Sequence, residues 1–395
     1  MTRAAPTNHM STLFKWDIFC RVVDNYGDAG VCWRLARELA IEHGDRVRLW
    51  IDDVERLARL HPDIRNQSET QDVEGVCICR WRDPFPAATP AAIVVEAFGC
   101  GLPTGYASAM AVAEPAPLWL VLEYLSAEPW VASHHGRPSP PPRLALDRYF
   151  FFPGFSEGTG GVLRERDLIA RRDGFDRSAR AALWRKLGHE APANDATVVS
   201  IFAYEHAPLR GLLACWEHGD TKTVAVVPVG RLVPIALDYF GMGDRPRERV
   251  ICRGSLELRI VPFMHQSGYD ELLWACDFNF VRGEDSFVRA QWAVRPFVWQ
   301  IYSQEHSAHV RKLEAFLDLY CVGMPSDTRK AVSDMMRTWN GVAIAGVTAA
   351  SAWHAFAAAA GALRQHGQAW AGRLSALGDL AGNLDAFWRR KVKNS

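Results

Sequence analysis

Phe280-Val281-Arg282-Gly283-Glu284-Asp285-Ser286-Phe287-Val288-Arg289-Ala290-Gln291-Trp292 reads as the end of a strand, a polar turn and the start of a helix. In an open α/β sheet, that is where a ligand binds: outside the carboxyl end of a strand and facing a helix N-terminus. The turn carries a fixed cation, two carboxylates and a hydroxyl, on Arg282, Glu284, Asp285 and Ser286. Arg282 can grip an anion bidentately, and free N–H groups near Ser286 can cradle phosphate. The plainer reading is that Asp285 or Ser286 merely caps the helix.

Outward from this turn, strands and helices alternate. Leu13–Val23 predicts a first strand, Asp24–Gly30 a loop and Val31–Ile41 a helix. Val47–Ile51, Ile93–Ala97 and Leu118–Leu122 read as further buried strands, which implies a parallel sheet covered on both faces. Gly136–Arg143 reads as an exposed loop and Gly158–Gly161 as a flexible stretch. Arg177–Lys186 is helical, and Gly188–Asp195 is the best inter-domain linker.

A second alternation follows. It runs through strands Thr197–Phe202, Thr223–Val229, Leu258–Val261, Phe278–Val281 and Pro296–Gln300, with helices at Tyr269–Cys276 and Phe287–Ala293. The Ala-rich segment Ser351–Lys391 has its Leu and Trp at helical spacing, as a packing surface does. The chain thus divides into an α/β domain over 12–187, a second over 195–370, and a C-terminal helix over 371–395 expected to pack back on the first.

Composition narrows the class. At 395 residues with 49% apolar content, two well-filled cores are the expectation, and 15 Trp argue against disorder. Lys plus Arg equals Asp plus Glu at 45 each, so no general attraction to nucleic acid or anionic membrane is present. The nine Cys form no Cys-x-x-Cys pair and most lie in apolar runs, which suits reduced structural thiols. Met1–Ser11 lacks an apolar signal core and no run reaches membrane-spanning length, so a cytoplasmic protein is expected.

Three more segments carry chemistry. Asp24-Asn25-Tyr26-Gly27-Asp28-Ala29-Gly30 stands where a dinucleotide fold has G-x-G-x-x-G, but its two carboxylates repel diphosphate. The loop suits a cation or a proton-accepting role, unless Asp28 only caps the helix and Asp24 only makes a turn. In Val261-Pro262-Phe263-Met264-His265-Gln266, an aromatic ring can stack on a base and an amide can read its edge, although Phe263 taken alone reads more readily as core. Tyr204, after the strand ending at Phe202, is a third candidate to line the same cleft. His134-His135 lacks any acidic or Cys companion at metal spacing.

Together these segments resemble the EarP family, bacterial protein-arginine rhamnosyltransferases that modify elongation factor P. The likeness rests on Trp16–Asp28, Leu272–Trp292, Tyr149–Phe155 and Gly158–Gly161, and extends over roughly residues 13 to 390. It implies a GT-B fold, two facing Rossmann-like domains with a cleft between them. It implies inverting transfer of L-rhamnose from dTDP-β-L-rhamnose to an arginine of elongation factor P. Arg282, Ser286 and nearby N–H groups can neutralise the leaving diphosphate and no Asp-x-Asp motif is present, so no metal or other cofactor is expected. The resemblance makes Asp28 the general base and Asp24 its partner toward the guanidinium, roles the two could exchange. Asn25 and Tyr26 join them in acceptor binding. Glu284 resembles the family's essential glutamate. Phe263, Gln266 and Tyr204 would bind thymine, and Arg282, Gly283, Asp285 and Ser286 the diphosphate sugar.

Two alternatives stay open at this stage. One is a GT-B transferase using another nucleotide sugar and acceptor. The other is a non-catalytic nucleotide-binding module, which would have no need of Asp24 and Asp28.

Overall fold

The protein is described by a computed structural model covering residues 14–393 apart from 25, 142–143, 244–248 and 304–307. Asn25 therefore lies outside the described residues, as does the end of the expected 136–143 loop.

The first half contains β1 (Trp16–Cys20), α1 (Gly27–Ile41), β2 (Val47–Ile51), α2 (Val54–Leu60), β3 (Thr70–Val73), β4 (Val76–Arg80), β5 (Ile93–Ala97), α3 (Thr104–Ala111), β6 (Leu118–Leu122), α4 (Trp130–His134) and β7 (Arg148–Phe151). Its sheet runs β3-β4-β2-β1-β5-β6-β7 and is parallel except for the β3–β4 hairpin. Period-2 alternation places Trp16, Ile18 and Cys20 on one face and Phe19 on the other. Asp17 is fully buried in β1, and Arg48 on the neighbouring strand neutralises it through hydrogen bonds of 2.5 and 2.6 Å.

The second half follows α5 (Leu168–Asp173) and α6 (Arg177–Lys186). It contains β8 (Thr197–Ile201), α7 (Leu209–Glu217), β9 (Thr223–Pro228), α8 (Leu232–Tyr239), β10 (Val250–Arg253), β11 (Leu256–Val261), α9 (Gln266–Ala275), β12 (Phe278–Arg282), α10 (Asp285–Trp292) and β13 (Phe297–Gln300). The sheet order is β10-β11-β9-β8-β12-β13, with only β10 antiparallel. Among the described residues five helices follow: α11 (Ala308–Tyr320), α12 (Ser326–Trp339), α13 (Ala349–Ala358), α14 (Ala360–Ala376) and α15 (Leu380–Lys393). These two covered sheets are the α/β architecture expected from the sequence.

The chain crosses between the cores earlier than the 188–195 linker. Phe151 and Leu163 belong to the first core, while Phe155, Val162 and Leu168 belong to the second. Leu183 and Trp184 of α6 pack on Val198, Val224 and Val226 of the second sheet. The reason is amphipathicity: α6 has one apolar edge, and the second sheet offers the uncovered face. Gly160 and Gly161, expected to be flexible, are buried in this crossing, and a Cβ on Gly160 would lie 2.4 Å from the Phe151 ring.

The expected first strand is shorter than 13–23, and α1 begins at Gly27 rather than Val31, which puts Asp28 in its first turn. The helical segment 351–391 is divided among α13, α14 and α15, so the expected C-terminal helix over 371–395 is the end of α14 followed by α15. Leu380, Ala381, Leu384 and Phe387 of α15 lie in the first core, whereas Trp370 of α14 lies in the second. Among the described residues, no helix is long and apolar enough to cross a membrane.

The role of α15 in the first core has a direct consequence. Leu384→Ala should lower stability by about 2–5 kcal/mol, the range for a buried leucine leaving a cavity. Urea denaturation followed by tryptophan fluorescence measures it.

Candidate active site

The two sheets turn their carboxyl edges toward each other. β1 lies between β2 and β5, and β8 between β9 and β12, so each is a topological switch point where the connections diverge and a crevice opens. The residues after β1, β8, β11 and β12 meet across that crevice.

Three helices are clasped together just behind it, each through a pair four residues apart. Gln266 of α9 donates its Nε2–H to the Gly30 carbonyl of α1 (3.1 Å) and to Oδ2 of Asp285 (3.2 Å). Arg34, one turn after Gly30, donates from Nε to Oδ1 of Asp285 (2.7 Å) and from Nη1 to Glu165 (2.8 Å). Arg289 of α10 grips Asp270 of α9 bidentately (2.8 and 2.7 Å) and reaches the other Glu165 oxygen at 2.5 Å. Both guanidiniums are buried. Burial alone would raise the Glu165 carboxyl, but Arg289 and Arg34 outweigh it and hold the group well below the usual carboxylate range.

The clasp fixes the acidic loop against the turn after β12. Asp24 Oδ2 accepts the Tyr204 hydroxyl at 2.9 Å. Asp28 does not cap its helix. Its Oδ2 instead accepts the backbone N–H groups of Val23 (2.7 Å) and Asp24 (2.8 Å), which folds the loop back over the helix start. Burial raises both carboxyls. Tyr204 and Arg282 oppose the rise at Asp24, and the backbone donors and the Tyr124 hydroxyl oppose it at Asp28. Glu284 faces the same space and accepts the Leu125 N–H at 2.9 Å. Burial pushes its carboxyl up to about 8, only partly offset by that donor, so it is protonated at neutral pH.

Two cavities share one wall. The first is a small chamber lined by Phe202, Tyr204, Phe263, Gln266, Arg282 and Ser286, and it opens to a cleft of about 850 Å³ beside Tyr26, Arg59, Gly230 and Phe263. The second, of about 230 Å³, is lined by Asp28, Phe98, Tyr124, Glu284, Trp299 and Lys312. Asp24, Gly27 and Gly283 border both. The wall is thin because two glycines face Asp24: a Cβ on either would lie 2.8 Å from Asp24 Oδ2 and push that carboxylate aside, and Gly283 in addition has φ of +62°.

Several expected site residues have other partners. Asp285 is held by Arg34 and Gln266, so its carboxylate joins the halves at the wall of the small chamber that it also lines. Ser286 does not cap α10. Its Oγ donates to the Arg282 carbonyl and accepts the Arg282 N–H at 3.0 Å, stitching the turn shut. Tyr204 grips Asp24. Tyr26, expected on the acceptor side, lies against Phe263 in the nucleotide-sized cleft, ring centroids 5.0 Å apart. Phe263 is half-buried and lines the cavity. The Arg282 guanidinium rests on the rings of Phe202 and Tyr204, 4.5 Å from each.

Sequence reasoning did not find Arg34, Glu165, Asp270, Arg289, Phe98, Tyr124 or Lys312. The available signal was a polar residue repeated four apart, at Gln266/Asp270 and Asp285/Arg289.

The family model described as Elongation-Factor P (EF-P) rhamnosyltransferase EarP matches residues 16–389. The protein-arginine rhamnosyltransferase of Pseudomonas putida is 45% identical over 379 residues, covering 95% of this chain and 99% of that relative. The one from Pseudomonas aeruginosa is 42% identical over 381 residues, covering 94% and 98%. A solved structure described as the structural basis for EarP-mediated arginine glycosylation of translation elongation factor EF-P superposes with a TM-score of 0.67 at 36% identity, covering 95% of this chain and 98% of that one. The calicheamicin glycosyltransferase CalG4 superposes at a TM-score of 0.50 with 13% identity over 95% of this chain and 99% of that one, a likeness of fold.

Two outcomes follow from this geometry. Gly283→Ala should displace Asp24 and cut turnover by about 10²-fold, the scale of a 1 Å misplacement, while left-handed backbone strain costs only about 1–2 kcal/mol of stability. Steady-state rates and thermal melts on one preparation separate these effects. Glu284 supplies the second. Its folded pKa is raised, so the folded state binds more protons than the unfolded state between roughly pH 4.5 and 8, and stability declines across that window as pH rises. Glu284→Gln should make that decline shallower, as melting midpoints from pH 5 to 8 would register.

Proposed function

The chain belongs to the EarP family of elongation factor P rhamnosyltransferases, and from that premise we propose that it moves L-rhamnose from dTDP-β-L-rhamnose to one arginine of elongation factor P, with inversion at the anomeric carbon. The observation that carries the reading is the shared wall, with a nucleotide-sized cleft on one side, a carboxylate-lined chamber on the other and Asp24 and Gly283 between them.

A guanidinium holds its proton to a pKa above about 12 and is a poor nucleophile, so the site must orient it and accept a proton as it attacks. In this reading Asp28 takes the proton. Asp24, steadied by Tyr204, pairs with the remaining guanidinium N–H groups. The arginine nitrogen bonds to the anomeric carbon as the bond from that carbon to the diphosphate oxygen breaks, and dTDP departs on the opposite face. Charge developing on the diphosphate meets Arg282 and the free N–H groups at the start of α10. Neutral Glu284 is able to donate a hydrogen bond to a sugar hydroxyl.

Thymine stacks on Phe263 in this account. Gln266 commits its Nε2 to the clasp, and its Oε1 is buried without a partner, which suits acceptance from the pyrimidine N–H. The work is assigned to the cytoplasm, consistent with nine free thiols.

The reading is tested by incubating purified elongation factor P with the enzyme and, separately, dTDP-rhamnose, UDP-glucose and GDP-mannose. Intact mass should rise by one deoxyhexose with dTDP-rhamnose alone, and NMR of the product should show inverted anomeric configuration. No gain with any donor, or equal gain with all three, contradicts it. Because Arg282 supplies the cation, EDTA should leave the rate within about twofold of untreated enzyme. Loss restored by magnesium would show a metal requirement.

A further inference from the structure

The chamber of about 230 Å³ has an aromatic side that the chemistry above does not use. Phe98 follows β5 and Tyr124 follows β6, so both leave the same sheet edge as the acidic loop. Their rings stack, centroids 4.4 Å apart and 14° from parallel. Phe98 adopts φ of +57°, a conformation an aromatic residue rarely takes, and its N–H bonds the Leu122 carbonyl at 2.7 Å. The strained backbone thus turns the ring onto Tyr124.

A cation already stands there. Lys312 of α11 lines the chamber and carries its ammonium 5.9 Å from the Tyr124 ring centroid, at the edge of cation–π range. It is half-buried, and its charge acts on Glu284 and Glu123. Val23 (70% exposed) and Tyr302 (44% exposed) flank the opening to solvent.

We propose that the Phe98–Tyr124 stack is the seat of the acceptor's guanidinium plane, and that the incoming arginine displaces the Lys312 ammonium, which holds the cation position in the free enzyme. A guanidinium is planar, delocalised and weakly hydrated. It stacks on an aromatic face better than an ammonium while its edge still donates to Asp24 and Asp28. The seat therefore selects arginine over lysine at the acceptor position. Lys312 gives the Tyr124 ring a cation before the acceptor arrives. The inference rests on the arginine-acceptor reading above.

Three enzymes decide it: wild type, Phe98→Leu and Lys312→Gln, each checked for dTDP affinity by calorimetry. Phe98→Leu should raise the KM for elongation factor P by about five- to thirtyfold, the span of a desolvated cation–π contact, with dTDP affinity unchanged. Lys312→Gln should act in the opposite direction, lowering that KM by about two- to fivefold because the competing cation is gone. General damage to the fold cannot produce that sign.

An unchanged acceptor KM in Phe98→Leu overturns the proposal. So does a Lys312→Gln enzyme with weaker dTDP binding, which would place Lys312 on the diphosphate. Should Phe98→Leu fail to fold, the sign of the Lys312→Gln effect decides alone. Direct titration of the free enzymes with N-acetylarginine amide, followed by NMR, is independent of transfer. Tighter binding in Lys312→Gln supports the seat even if the donor assignment fails, and no binding to any of the three enzymes contradicts it.

Discussion

The buried Arg34 on the first half's leading helix and Asp285 in the second half's ligand turn, 2.7 Å apart, set the relation on which the site depends. One turn before Arg34 on the same helix, Gly30 is held by Gln266, and Asp28 opens that helix. Beside Asp285 stand Glu284 and Gly283. One contact thus joins the helix that presents the candidate base to the turn that faces the diphosphate. Glu165, from the segment where the chain crosses between halves, ties both arginines together.

Such a cluster is better suited to fixing geometry than to adding stability. Removing two guanidiniums and three carboxylates from water costs free energy of the same order as their mutual attraction returns. Each arginine, however, has a rigid fork matched to its partners, so few other arrangements satisfy all the charges. Glu38, one turn further along α1, is buried with both oxygens unpartnered, and burial together with Glu165 raises it strongly.

Much of the architecture was legible from residues alone, because fully buried parallel strands leave continuous apolar runs such as Ile93–Ala97 and Leu118–Leu122. The ligand-facing segments were legible for a related reason: polar residues after such a run mark a sheet edge. The β3–β4 hairpin was not, since Thr70–Val73 is a half-exposed edge strand with no such run. The start of α1 was misplaced because Gly27 and Gly30 weaken any helical signal, and tertiary contacts hold that turn instead. Side chains whose partners lie more than a hundred residues away, such as Arg34 with Asp285 and Tyr204 with Asp24, leave no local trace. For that reason the tethering contacts of Tyr204 and Asp285, both of which also line the small chamber, could not be read from the sequence.

The central claim is that donor binding and proton acceptance lie on opposite sides of one wall and come from different halves of the chain. Single-turnover transfer by Asp28→Asn, with dTDP affinity measured by calorimetry on the same protein, tests this most directly. The account predicts nearly unchanged dTDP affinity and a rate lower by about 10²–10⁴-fold, the range for losing a general base. A folded Asp28→Asn enzyme that transfers at the wild-type rate, or one that loses dTDP binding in proportion to activity, would contradict it.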